Sequence, residues 1–122
     1  MDSLSQKIER YIRTGEGDFE SLALELFQYQ FELNVPYQAY CRVQGITPTS
    51  VARWQDIAAV PIGAFKSTEL ATFPVGRAAA VFESSATTTG SPSRHYLKSL
   101  SYYETSLKRT LPIMFYLSKP KR

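Results

Sequence analysis

One stretch constrains the fold of this chain more than any other. Between the apolar run Ala78–Phe82 and the aromatic run His95-Tyr96-Leu97 lie seven hydroxyl side chains: Ser84, Ser85, Thr87, Thr88, Thr89, Ser91 and Ser93. Gly90 and Pro92 stand among them. A run this polar has no apolar face to bury, and its glycine and proline punctuate any helix. The apolar segment Ala78–Glu83, bounded by turn signals, predicts a strand. His95-Tyr96-Leu97 predicts its partner. The two make a β-hairpin with a wide polar tip.

The first half of the chain reads differently. Leu4, Ile8, Tyr11 and Ile12 fall on one helical stripe, and Ser3 and Gln6 have capping-box spacing. A helix from Ser3 to Arg13 follows, broken at Thr14-Gly15-Glu16-Gly17. Asp18 is placed to cap a second helix, in which Phe19, Leu22, Ala23, Leu26, Phe27 and Gln30 keep the i, i+3, i+4, i+7 rhythm to about Asn34. Leu24 and Phe31 widen its apolar face. Pro36 suits the first turn of a third helix that closes at Gly45. Thr47-Pro48-Thr49-Ser50 predicts a turn, followed by a short helix from Ser50 to Ile57 with Trp54 and Ile57 inward. Val60–Lys66 is apolar but broken by Pro61 and Gly63, hence irregular or extended, with a helical turn near Phe65. Phe73-Pro74-Val75-Gly76 is a further turn. Ser101 and Glu104 have capping-box spacing before the stripe Leu100, Tyr103, Leu107, Leu111 and Met114, which Pro112 is expected to kink or end. The expected class is α/β in one domain: a helical prelude of three to four helices over residues 1–58, then a segment over 59–122 holding the hairpin and a further helix.

Composition excludes several functions. A chain of 122 residues with 43% apolar content and 13% aromatics is long enough for one modest core. A single cysteine, Cys41, permits no internal disulfide, and one histidine beside it leaves too few ligands for structural zinc, so no metal site is expected. No apolar run approaches a membrane span, and no basic start precedes an apolar leader, so a cytoplasmic protein is expected. The net charge of +3 is uneven: residues 1–34 sum to −4 and residues 91–122 to +6. The basic third suits phosphate or an acidic partner surface. The terminal Lys119-Pro120-Lys121-Arg122 is too short to argue nucleic-acid binding.

The hydroxyl-rich segment has the chemistry of an anion cradle. Small hydroxylated residues offer O–H and backbone N–H donors together, glycine allows close backbone approach, and successive N–H groups form a nest. Arg94 adds a fixed charge with the bidentate geometry that phosphate takes. The segment is neither a Walker loop nor a dinucleotide fingerprint, since both glycine patterns are lacking.

The segment resembles the first signature of acyl-adenylate-forming ligases, an S-S-G-T-T-x-G-x-P-type loop. More closely, it is similar to the acyl-protein synthetase (LuxE-like) family. The matching residues are Val81-Phe82-Glu83-Ser84-Ser85, Thr87-Thr88-Thr89-Gly90 and Pro92-Ser93-Arg94-His95-Tyr96, with Trp54-Gln55-Asp56-Ile57, Val60-Pro61-Ile62 and Phe65-Lys66 upstream. The resemblance implies an enzyme that activates a carboxylic (fatty) acid with ATP and Mg²⁺ to acyl-AMP and pyrophosphate, then passes the acyl group to a thiol. It implies phosphate contacts from Ser84, Ser85, Thr87, Thr88, Thr89 and Gly90, which would stabilise charge on the leaving pyrophosphate. Ala86 stands where the family usually carries glycine. The family's adenine pocket, acid pocket, Mg²⁺ carboxylate and mobile lid lie beyond the stretch matched here. The expectation is therefore the N-terminal portion of such a ligase, incomplete alone. Its partners would be the remainder of the ligase, a second copy or an acyl-transfer protein. The rival expectation is a stand-alone, non-catalytic protein-interaction module derived from that family, and a third is a small anion-binding protein using only the loop.

Other reactive residues read as structural. Cys41 has no base nearby and fits a buried thiol. His95 either contacts phosphate beside Arg94 or makes a structural bond. Lys66 either reaches a phosphate or extends along apolar surface to water. Tyr102 and Tyr103 fit helix packing.

Overall fold

The computed structural model describes residues 3–84 and 92–118. Within them the fold is mixed α/β: five α-helices and one two-stranded antiparallel hairpin.

Helix α1 spans Leu4–Thr14 and α2 spans Phe19–Leu33. Ser3 and Gln6 form the reciprocal capping box at the start of α1, satisfying two N–H groups that have no partner within the helix. The helix ends at Gly15, whose φ of 74° is left-handed and whose N–H returns to the Tyr11 carbonyl. Asp18 caps α2 by accepting from the Glu20 N–H at 3.2 Å, and the Ser21 hydroxyl donates to the same carboxylate at 2.6 Å. Together these bonds hold the Asp18 carboxyl below its ordinary pKa.

Helix α3, Val35–Val43, starts at Asn34, whose side chain accepts from the Tyr37 N–H and donates to Gln30. It ends with a double return typical of a left-handed glycine stop. The Gly45 N–H bonds to the Arg42 carbonyl, and the Ile46 N–H bonds to that of Cys41. Phe27, Phe31, Tyr37 and Cys41 form the buried core between α2 and α3, with Ile46, Val51, Ile57, Ala58 and Val60 against it. The Phe27 and Tyr37 rings meet edge to face at 6.2 Å, the arrangement their quadrupoles favour.

The expected helix from Ser50 to Ile57 is only a 3₁₀ turn, Trp54–Asp56. Ser50 Oγ is committed backward to both backbone groups of Thr47, so it caps nothing ahead, and Arg53 is extended. Trp54 is not inward: it stays half exposed, edge-on to Phe19 at 5.6 Å, while Ile57 is half-buried. The one-turn helix α4, Ala64–Ser67, sits where a turn near Phe65 was expected. A second 3₁₀ turn, Val75–Arg77, precedes strand β1, Ala80–Glu83. Strand β2, Arg94–Leu97, pairs with it in the register Ala80↔Leu97 through Glu83↔Arg94.

Helix α5 spans Ser101–Ser118. Ser101 lies within the helix and does not cap it as the Ser101–Glu104 spacing suggested. Ser99 Oγ accepts from the Ser101 N–H, and the Glu104 N–H already bonds to the Leu100 carbonyl. The helix continues past Pro112, which removes only one backbone donor. The side chains of Leu111 and Met114 lie outside those described. α5 packs along α1 through three bonds: Tyr102 to Ser5, Thr105 to Glu9, and Arg109 to the Ile12 carbonyl.

Candidate functional site

The hairpin positions the hydroxyl-rich segment. Strands β1 and β2 leave their ladder at Glu83↔Arg94, and the next pair outward, Ser84 and Ser93, closes the neck. The Ser84 N–H donates to the Ser93 carbonyl at 3.0 Å. The Ser93 N–H and hydroxyl both donate to Ser84 Oγ, at 2.9 and 2.8 Å. Ser93 is buried, so its polar groups must find partners within the protein. A hydroxyl has two acceptor lone pairs and one donor, so these bonds leave the Ser84 O–H proton to donate elsewhere.

Arg94 stands beside this neck. Its Nε donates to Glu83 Oε1 at 3.0 Å in an exposed ion pair, which raises the guanidinium pKa further. The terminal N–H groups of the fork are not used by that bond. Of the residues read as phosphate contacts, Ser84 and Arg94 both lie at the mouth of the hairpin, but at adjacent register positions: Ser84 meets Ser93 and Arg94 meets Glu83, so strand alternation sends their side chains to opposite faces. Ser85, Thr87, Thr88, Thr89 and Gly90 lie outside the described residues, as does Ala86.

His95 makes an aromatic contact in place of the expected structural hydrogen bond. Its ring stacks on Phe65 of α4 with centroids 4.5 Å apart, and its cross-strand partner Phe82 meets Tyr103 edge-on at 5.4 Å. These contacts anchor the hairpin between α4 and α5. Lys66 is exposed. Cys41 is wholly buried, and burial pushes its thiol up, away from the reactive thiolate. Tyr102 bonds to Ser5 and Tyr103 packs on Phe82, so both serve helix packing. Among the described residues no cluster of His, Cys, Asp or Glu is built to hold a metal ion, and no helix is long and apolar enough to cross a membrane.

A second feature lies along the apolar stripe of α2. An apolar cavity of about 560 Å³ lies between α1, α2, the start of α3 and the segment 57–70. Ile8 and Tyr11 come from α1, and Ile57, Val60, Phe65 and Leu70 from the connecting segment. The apolar stripe of α2 was legible, but the segment that leaves it uncovered was not. Phe65 both lines this cavity and carries His95, so the cavity and the hairpin share one wall.

No protein-family model matches the chain, and no curated protein or solved structure matches it either.

Proposed function

We propose that this chain is the N-terminal part of an ATP-dependent acyl-activating ligase of the acyl-protein synthetase kind, with the segment from Ser84 to Gly90 and Arg94 as its polyphosphate cradle. ATP with Mg²⁺ would supply the adenylyl group that activates a carboxylic acid. The residues of this chain bind and orient the leaving phosphates. Ser84 has an O–H left to donate, Arg94 has the open end of its fork, and by the resemblance Ser85, Thr87, Thr88, Thr89 and Gly90 would add further donors. The observation that carries the reading is the doubly bonded Ser84–Ser93 neck, which holds the two ends of the hydroxyl-rich loop together.

The test is calorimetry of the chain with MgATP and with pyrophosphate. Binding is expected, weakened about tenfold or more by Thr88→Val and by Gly90→Ala, and tightened by Ala86→Gly. Absence of binding in both the native chain and Ala86→Gly would sink the cradle.

Two observations favour a second reading, the non-catalytic interaction module. Glu83 already occupies Arg94, and Val35, Val43 and Ile62 are largely exposed. On that reading the chain binds neither nucleotide nor pyrophosphate and is recovered with a protein bound over those apolar residues.

A further inference from the structure

The outer edge of strand β1 is open to a further strand. The Ser84 N–H bonds to the Ser93 carbonyl, which makes Ser84↔Ser93 a hydrogen-bonded pair. Such pairs alternate with non-hydrogen-bonded ones along an antiparallel ladder. Phe82↔His95 and Ala80↔Leu97 therefore bond inward, whereas Val81↔Tyr96 and Glu83↔Arg94 do not. The backbone N–H and C=O groups of Val81 and Glu83 turn away from β2, and no described residue bonds to them. Two strands alone are marginal in water, and an unpaired edge is a template for another chain. The usual devices that blunt such an edge are weak at β1. It holds no proline or lysine, and its one charge, Glu83, is already paired with Arg94. Val81 and Phe82 are 44% and 41% exposed. The Phe82 ring meets Tyr103, itself 47% exposed, so the apolar strip runs from the strand onto α5. The β2 edge is the protected one: Arg94 stands on it, and its central residue, His95, is stacked on Phe65 of α4.

Main-chain geometry restricts the occupant to an extended strand, because only a strand spaces its N–H and C=O groups to match those of Val81 and Glu83. A second copy of β1 matches them in one register. Phe82 lies midway between the two outward-facing residues. A two-fold axis at Phe82 sets Val81 against Glu83 of the second copy, and Glu83 against the second copy's Val81. Both are hydrogen-bonded pairs, each exchanging two bonds, so every open group of Val81 and Glu83 finds a partner. Phe82 faces Phe82 of the second copy in the pair between them, where side chains lie closest. The neighbouring registers are poorer. One sets the two Glu83 carboxylates against each other, and the other pairs Glu83 with Ala79, which lies outside the strand. A slip of a single residue opposes outward groups to inward ones. The axis at Phe82 also turns both inner faces the same way, so the two hairpins continue as one antiparallel sheet in the order β2-β1-β1-β2. We infer that the β1 edge is the contact between two copies of this chain, paired antiparallel about Phe82. The interface is small, so the dimer is weak and forms at high concentration. This contact is independent of any phosphate binding by the loop.

The full chain is followed by sedimentation and by amide exchange at concentrations from about 10 µM to about 1 mM. A reversible monomer–dimer equilibrium is expected. Protection at the Val81 and Glu83 amides should rise with concentration, with none gained at Arg94 and Tyr96. Val81→Pro removes one outward N–H from each copy and leaves the bonds between β1 and β2 in place, so the dimer should weaken about tenfold or more. If that variant disturbs the hairpin, charge decides. Val81→Lys faces Glu83 of the second copy and should tighten the dimer about threefold or more, Val81→Glu should weaken it by a similar factor, and added salt should shrink both effects. A chain monomeric up to about 1 mM, a dimer whose Val81 and Glu83 amides stay unprotected, a dimer indifferent to a folded Val81→Pro, or one tightened by Val81→Glu would each overturn the inference.

Discussion

Ser84 Oγ accepts two hydrogen bonds from one residue, the N–H and the hydroxyl of Ser93, and so one side chain closes the neck of the hairpin. Removing it leaves two donors of a buried serine without partners. Ser84→Ala should cost about 1–3 kcal/mol, the usual penalty for such groups. Ser84→Thr, which restores the oxygen, should recover most of it. Thermal melts with amide exchange at Ser93 check this. A melting temperature unchanged in Ser84→Ala would show that the neck is not held by these bonds.

Asn34 joins two helices with one side chain. It caps α3 through Tyr37 and ties back to Gln30 on α2, and it is buried. Asn34→Ala should lower stability by about 1–2 kcal/mol, and Asn34→Ser, which keeps the cap but not the tie, by less. Equal losses in both variants would assign the whole effect to the Gln30 contact.

The core responds to alkali. Burial, first of all, pushes both the Tyr37 hydroxyl and the Cys41 thiol up. A raised acid stays neutral in the fold while its unfolded counterpart ionises. Its stability contribution is therefore complete below the unfolded value and is lost as pH rises toward the folded one. The loss should begin near the ordinary thiol value of about 9 and steepen above the phenol value of about 10. Melting temperatures from pH 8 to 11 test this. Cys41→Ala should flatten the earlier part of the fall and Tyr37→Phe the later part. Three parallel curves would exclude both groups as its source.

Glu83 competes with any anion for Arg94. The pair is solvent-exposed, so Glu83→Gln should leave the melting temperature nearly unchanged. On the cradle reading the same change frees the guanidinium and tightens pyrophosphate binding, more at low salt than at high. Arg94→Gln should weaken it. Titrations at two ionic strengths would settle the point, and pyrophosphate affinity indifferent to both substitutions would remove Arg94 from the site.

What sequence could reveal followed the range of the forces involved. Ser3 with Gln6, Asp18 and Gly45 act within a few residues, and each was legible where it stands. The hairpin was legible because strand, polar turn and strand alternate so sharply between Ala78 and Leu97. The Ser50–Ile57 helix failed because Ser50 had two local uses open to it and the backward bond to Thr47 won. At α5 the helix begins at Ser101 itself, and Ser99, two residues earlier, supplies the oxygen that accepts from its N–H. The stacking of His95 on Phe65 and the cavity beside α2 depend on how distant segments meet, which no local pattern encodes. At the candidate site, the residue types were readable but the Glu83 hold on Arg94 was not, because a cross-strand pair requires the register.

The seam between α1 and α5 bears on the order in which the molecule is made. Ser5, Glu9 and Ile12 wait for Tyr102, Thr105 and Arg109, partners nearly a hundred residues later in the chain. During synthesis α1 therefore emerges long before the surface it lies against, and closing that distance must be achieved against loop entropy. The α2–α3 unit, joined at Asn34, has no such delay. A nascent chain halted before Tyr102 should hold a formed α2–α3 hairpin with α1 still undocked, and the fold should close only once Arg109 has reached the Ile12 carbonyl.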